Sequence, residues 1–252
     1  MSTIKPIYLL ADSQLLFWRE EGVPFLERVR KLIEDEGTSE EIRAAYIGAS
    51  NDDAPEFYEL FVAAMHEAGI RTTRHIPAHL ESEDRAFLGE AELILLAGGD
   101  VRRGWQAFEK NGLKEKLVER YYAGAVLMGV SAGAVQLGLK GWDDDGNLFD
   151  TFRVAPFVID VHDEPGWARL AQVVPRAGEH ARGFGIPSGG GALYHPDYSV
   201  EPVRHPLVEM SPTEEGVVRQ ALLFPGETAE ATEEERGTFS PEVRELLDLP
   251  PN

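Results

Sequence analysis

The chain has 252 residues, with 24 basic and 44 acidic side chains, a net charge of -20, and no cysteine. That balance disfavours non-specific binding to nucleic acid or to an anionic membrane surface, since both are polyanions. The missing cysteines exclude a disulfide framework, a thiolate zinc site and a cysteine nucleophile. Hydrophobic residues make up 43% of the chain, enough to fill the core of one large α/β domain. Met1 to Pro6 lacks the basic and apolar segments of a signal peptide, and no stretch reaches about 18 uninterrupted apolar residues. A cytoplasmic protein without a membrane span is expected.

Ile7 to Ala11 reads as the first strand, and Val23 to Ile33 carries apolar residues at helical spacing. Arg43 to Ala49 is a second strand, ending in Ser50-Asn51-Asp52-Asp53. Pro55 opens a helix that Gly69 stops. Arg71 to Ile76 is a third strand, and Glu81 to Leu88 a short helix. Glu92 to Ala97 is a strongly apolar strand ending in Gly98-Gly99-Asp100. Helical periodicity then runs from Val101 to Tyr122, with a break at Asn111-Gly112.

The next apolar run, Ala125 to Met128, leads into Gly129-Val130-Ser131-Ala132-Gly133-Ala134. This is a G-x-S-x-G pattern, in which a strand ends in a sharp turn and re-enters as a helix. The turn presents the Ser131 hydroxyl at the top of the sheet and aims the Ala132 amide at the place where an oxyanion would form. Ser131 is therefore the candidate nucleophile. A tight turn that merely requires small residues fits the same spacing. Alternating strands and helices predict a mostly parallel sheet covered on both faces, with ligands at the carboxyl ends of its strands. The ends at Ser50-Asn51-Asp52, Gly98-Gly99-Asp100 and Ser131 should then converge.

Beyond the elbow, Trp142 to Asn147 reads as a solvated acidic loop, because the ligand spacing of a calcium site is missing. Phe152 to Val161 is rich in β-formers, and Trp167 to Val174 is a helix. Gly183 to Gly191 holds five glycines, and Ala192 to Tyr198 and Gln220 to Phe224 are further strands. Residues 226–252 read as an acidic tail with a short helix at Pro241 to Leu247, leaving a core over 1–225. The whole chain, 1–252, is taken as one domain.

A serine nucleophile needs a base within hydrogen-bond reach and a group that orients the base. Of seven histidines, His162 directly follows an apolar strand and is the first candidate; His195 is the second. Paired glycines at Gly98-Gly99 permit the close backbone approach of a second oxyanion donor. No phosphate-binding glycine loop and no compact metal-ligand motif occurs in the sequence.

Five segments in order carry a resemblance. They are Ile47-Gly48-Ala49-Ser50, Leu95 to Asp100, the Ser131 elbow, Asp160-Val161-His162 with Arg169-Leu170, and Gly183 to Ile186 with Ala192-Leu193. Over about residues 5 to 195 they resemble the dipeptidase E and cyanophycinase family of serine peptidases, within the class I glutamine-amidotransferase-like superfamily. The resemblance implies an α/β three-layer fold, Ser131 as nucleophile, His162 as general base, and oxyanion amides from Gly99 and Ala132. It implies hydrolysis of small, aspartate-containing peptides or isopeptides, without a cofactor or metal; a homodimer is allowed. Asp100, Arg102, Arg103 and Arg169 are the expected substrate contacts. One departure stands out. After the Gly-Ile pair the family places an acidic residue that orients the histidine, whereas here Pro187-Ser188-Gly189-Gly190-Gly191 has no carboxylate. Ser188 stands in that place, and Asp160, Asp163 and Asp197 are the other candidates for the third group. A relative that binds a small peptide in the same pocket without turnover is the alternative expectation.

Overall fold

The computed structural model describes residues 3–34, 41–213 and 218–230. Five strands form a parallel array: β1 (Ile7–Leu10), β2 (Arg43–Ile47), β3 (Thr72–Ile76), β4 (Leu93–Leu96) and β5 (Val126–Val130). In space they lie in the order β1-β5-β4-β2-β3. Parallel strands covered on both faces bury every residue, which is why β1, β4 and β5 are unbroken apolar runs rather than alternating ones. Successive side chains serve opposite cores. Ile94 and Leu96 pack with Trp105 and Phe108, while Leu93 and Leu95 pack with Phe25 and Phe61.

The connecting helices follow their apolar spacing. They are α1 (Phe25–Glu34), α2 (Pro55–Glu67), α3 (Ser82–Glu90), α4 (Val101–Asn111) and α5 (Leu113–Tyr122). The expected break at Asn111-Gly112 falls on Gly112, whose φ of 66° ends α4 and starts α5. The short α6 (Ala132–Leu137) leaves the elbow. Together these elements form an α/β three-layer fold.

Two features depart from a single, mostly parallel sheet. First, β8 (Gly191–Tyr194) and β9 (Ser199–Val203) extend the sheet from β1 in antiparallel fashion. Ala229–Glu230 then pairs with Ser199 and Val200, so the sheet takes up residues assigned by sequence to the tail. The helix expected at Pro241 to Leu247 lies outside the described residues. Second, β6 (Val158–Val161), β7 (Gly183–Ile186), β10 (Leu207–Pro212) and β11 (Val218–Leu223) form a separate four-stranded sheet. Helix α7 (Ala168–Ala177) packs on it through Leu170, Val173 and Val174. The acidic loop after Trp142 is the turn of a small hairpin, where Asp143 accepts the Asn147 amide.

This second sheet positions the site. Its strand β6 ends directly at His162, whose amide donates to Ile186 O at 3.0 Å. The main sheet supplies Ser131, and the second sheet supplies the histidine that faces it.

Candidate active site

Ser131 sits at φ 50° and ψ -113°, a conformation that L-residues avoid unless their surroundings impose it. The surroundings here are specific. The Ser131 amide donates to Leu10 O at 2.9 Å, which ties the elbow to β1. A Cβ at Gly129 would lie 2.5 Å from the Gly133 carbonyl carbon, and one at Gly133 would lie 2.7 Å from the Leu96 carbonyl carbon. The small residues of the elbow are thus demanded by backbone packing, and the packing holds the serine in its strained turn.

Ser131 Oγ lies 3.0 Å from His162 Nε2. His162 also has positive φ, 42°. Both partners of the pair are turned out of regular geometry at the ends of their strands. This is the arrangement of a hydroxyl and the base that can take its proton. Among the described residues, the amides of Gly99 and Ala132 donate to no backbone carbonyl.

The three strand ends do converge. Asp100 N donates to Ser50 O at 2.8 Å, and a Cβ at Gly98 would lie 3.2 Å from Ser131 Cβ. Gln136 of α6 fastens the group from below, donating to Ser50 Oγ at 3.1 Å and to Val101 O at 2.9 Å. Both Ser50 and Gln136 are buried.

The other expected contacts are distributed differently. Asp100 caps α4 by accepting the Arg103 amide at 2.6 Å. Arg103 pairs with Asp52, and Arg102 stacks 4.6 Å over the Phe149 ring. Neither arginine lines the cavity beside Ser131 or the one beyond Gly99. Arg169 reaches the second of these, a cavity of about 630 Å³ that also takes in Asp100, Asp143, Asp144 and Arg176. Its guanidinium is held by Asp160 at 2.6 Å and stacks on Trp142.

No carboxylate hydrogen-bonds His162 among the described residues. Asp160 is fully buried, engages Arg169 and accepts the Val161 amide. Burial pushes its carboxyl above the ordinary range, against the opposing pull of Arg169. Asp163 accepts the Arg169 amide, and Asp197 accepts from Ser199. His195 pairs with Glu201 at 2.9 Å, away from Ser131. Ser188, in the place of the expected acid, donates its amide to Glu164 Oε1 at 2.9 Å. Burial works to raise the Glu164 carboxyl, but the Ser188 and Glu164 amides, the Ser188 hydroxyl and the charge of His162 outweigh it and lower the pKa. The Ser188 amide is the strongest of these lowering influences, and His162 is the weakest. The sequence reading passed over Glu164, although it stands two residues from His162.

The profile of peptidase family S51 matches residues 4–152, more than half of the chain. The chain belongs to peptidase family S51. It is therefore a serine-type peptidase, a hydrolase. Two solved structures share the fold. One is a peptidase from an acI-B1 Actinobacterium, 17% identical, with a TM-score of 0.68 over 90% of this chain and 97% of that one. The other carries the peptidase E name and comes from Listeria monocytogenes EGD-e; it is 16% identical, with a TM-score of 0.50 over 88% of this chain and 100% of that one. At such identities the likeness speaks for the fold alone. No curated protein matches the sequence. Among the described residues no helix is long and apolar enough to cross a membrane.

Proposed function

We propose that this member of family S51 hydrolyses small peptides with Ser131 as nucleophile and His162 as general base. The observation that carries the reading is the 3.0 Å contact between Ser131 Oγ and His162 Nε2 at a strained elbow. Ser131 Oγ attacks the peptide carbonyl and passes its proton to His162 Nε2. The Gly99 and Ala132 amides stabilise the tetrahedral oxyanion. His162 then returns the proton to the leaving amine, and water resolves the acyl-enzyme by the same steps in reverse. The aspartate-containing substrate rests on the resemblance alone, because Arg169 in the cavity beyond Gly99 is already paired with Asp160 and shares that cavity with Asp100, Asp143 and Asp144.

The test is labelling by a fluorophosphonate, with site mapping, beside a screen of Asp-X and β-aspartyl dipeptides. Label on Ser131 together with Ser131-dependent turnover supports the reading. Absence of both overturns it. Turnover that omits acidic peptides overturns only the substrate class.

Glu164 supplies the negative charge that stabilises the His162 imidazolium in this scheme. Gln at 164 keeps the oxygen that Ser188 grips and removes only the charge. Glu164→Gln is expected to lower kcat about 5- to 30-fold, the scale of losing one partly screened charge near the imidazolium. KM should stay within about twofold, and Glu164→Asp should recover part of the loss. Equal kcat for wild type and Glu164→Gln would remove this role. The second reading, peptide binding with little turnover, draws on the lack of a carboxylate bonded directly to His162 among the described residues.

A further inference from the structure

The cavity that holds Ser131, His162, Gly98 and Gly99 is walled on its far side by apolar side chains. Phe57, Leu60 and Phe61 of α2 lie at i, i+3 and i+4, so they form one stripe along the helix. Phe61 is buried at the inner end of that stripe. Phe57 and Leu60, at its rim, remain 47% and 42% exposed, although each borders a cavity that a side chain could fill. Leu16 and Leu95 complete the wall. The volume, about 340 Å³, lies at the small end of ligand sites, which run from about 300 to 1,000 Å³.

The polar groups of this cavity argue for the same occupant. Among the described residues, no lysine or arginine lines it. Asp12, which does, already accepts the amides of Gln14 and Gly189. An acidic side chain entering here would meet no cation and one carboxylate. Asn51 donates to the Tyr46 hydroxyl at 2.9 Å, while its Oδ1 is buried without a partner among the described residues.

We propose that this cavity is a specificity pocket for a bulky apolar side chain, such as leucine or phenylalanine, on one of the two residues flanking the scissile bond. The proposal rests on the reading of Ser131 as nucleophile, because that places the reacting carbonyl at the pocket mouth. It assigns Phe57 and Leu60 as residues that determine specificity. Their exposure is the state of a site waiting for its substrate, not an unexplained surface patch. An acidic residue of the substrate would have to lie outside this cavity.

The test uses the full chain and a dipeptide library in which each position is varied through Ala, Asp, Leu, Phe and Tyr. At one position, Leu or Phe should exceed Ala and Asp by about 10- to 100-fold in kcat/KM, the discrimination that a few buried carbon atoms confer. Phe57→Ser and Leu60→Ser alter half-exposed side chains, so the fold should survive them. Each should cut the preference about three- to tenfold. Leu222→Ser, which removes a somewhat more exposed leucine from β11, should not. Calorimetric binding of the same dipeptides to Ser131→Ala separates this proposal from the catalytic one. Apolar-selective binding without wild-type turnover keeps the pocket and sinks the hydrolytic scheme. Turnover that is indifferent to side-chain size, or a profile unchanged in both serine variants, overturns the pocket.

Discussion

Alanine at position 131 is expected to lower kcat by about four to six orders of magnitude, and alanine at position 162 by a similar factor. The expectation follows from a division of labour. In the proposed scheme Ser131 Oγ supplies the electron pair for the new bond, and His162 Nε2, 3.0 Å away, takes the proton that would otherwise leave at high energy. Each is useless to the acyl-enzyme route without the other. The double variant should therefore be little worse than either single one. Stability should separate this loss from misfolding. The Ser131 hydroxyl has His162 as its hydrogen-bond partner, and the elbow is held by backbone contacts at Gly129, Gly133 and Leu10. Ser131→Ala should thus unfold within about 1 kcal/mol of the wild type. Steady-state kinetics on the best dipeptide and calorimetric melting check both halves. Retention of more than about a tenth of wild-type kcat in Ser131→Ala would assign the chemistry elsewhere.

How much of this could be read beforehand depends on what each residue is for. The parallel strands were legible because strands buried on both faces must be continuously apolar, as Leu93 to Leu96 and Val126 to Met128 are. The elbow was legible because its small residues answer to backbone collisions that recur at any such turn. The second sheet was not. Its strand β7 lies in a glycine-rich run without the continuous apolar signal of the main sheet, yet Gly183 and Gly185 are there for packing. A Cβ at either would come 2.5 Å from Val174 or Trp167 of the covering helix and its cap. Glycine required by a neighbour looks the same in a sequence as glycine required by a turn.

The third group shows a related limit. Asp160 and His162 are two apart in a strand, so alternation would put both on one face. The positive φ of His162 ends that regularity, and Asp160 stays buried with Arg169 while His162 reaches Ser131. The α2 pocket wall was partly legible. Phe57, Tyr58, Leu60, Phe61 and Val62 put more large apolar residues into one stretch than a single buried helix face can absorb. The surplus had to face something, and in the structure it faces the space beside Ser131.

The glycine pair yields the sharpest prediction about the turn itself. Gly99 has a φ of 135°, and a Cβ there would run into the Ser50 carbonyl, with the carbonyl carbon 2.6 Å away. Ser50 cannot give way cheaply. It is buried, its carbonyl accepts the Asp100 amide, and its hydroxyl accepts from Gln136. Gly99→Ala should therefore destabilise the fold by about 2–4 kcal/mol, a fall of roughly 5–15 °C in Tm for a chain of this size. The βα turn must shift to relieve the collision, and the shift carries the Gly99 amide away from the oxyanion position. In assays at a temperature where the variant is still folded, kcat should drop by about 10²- to 10³-fold. Gly98→Ala provides the contrast. Its Cβ would meet Ser131 Cβ at 3.2 Å and Val130 O at 3.5 Å, contacts that small adjustments relieve, so it should melt closer to the wild type. If Gly99→Ala melted and turned over like the wild type, the Ser50 carbonyl would not brace this turn. The second oxyanion donor would then have to be sought in another amide lining the cavity.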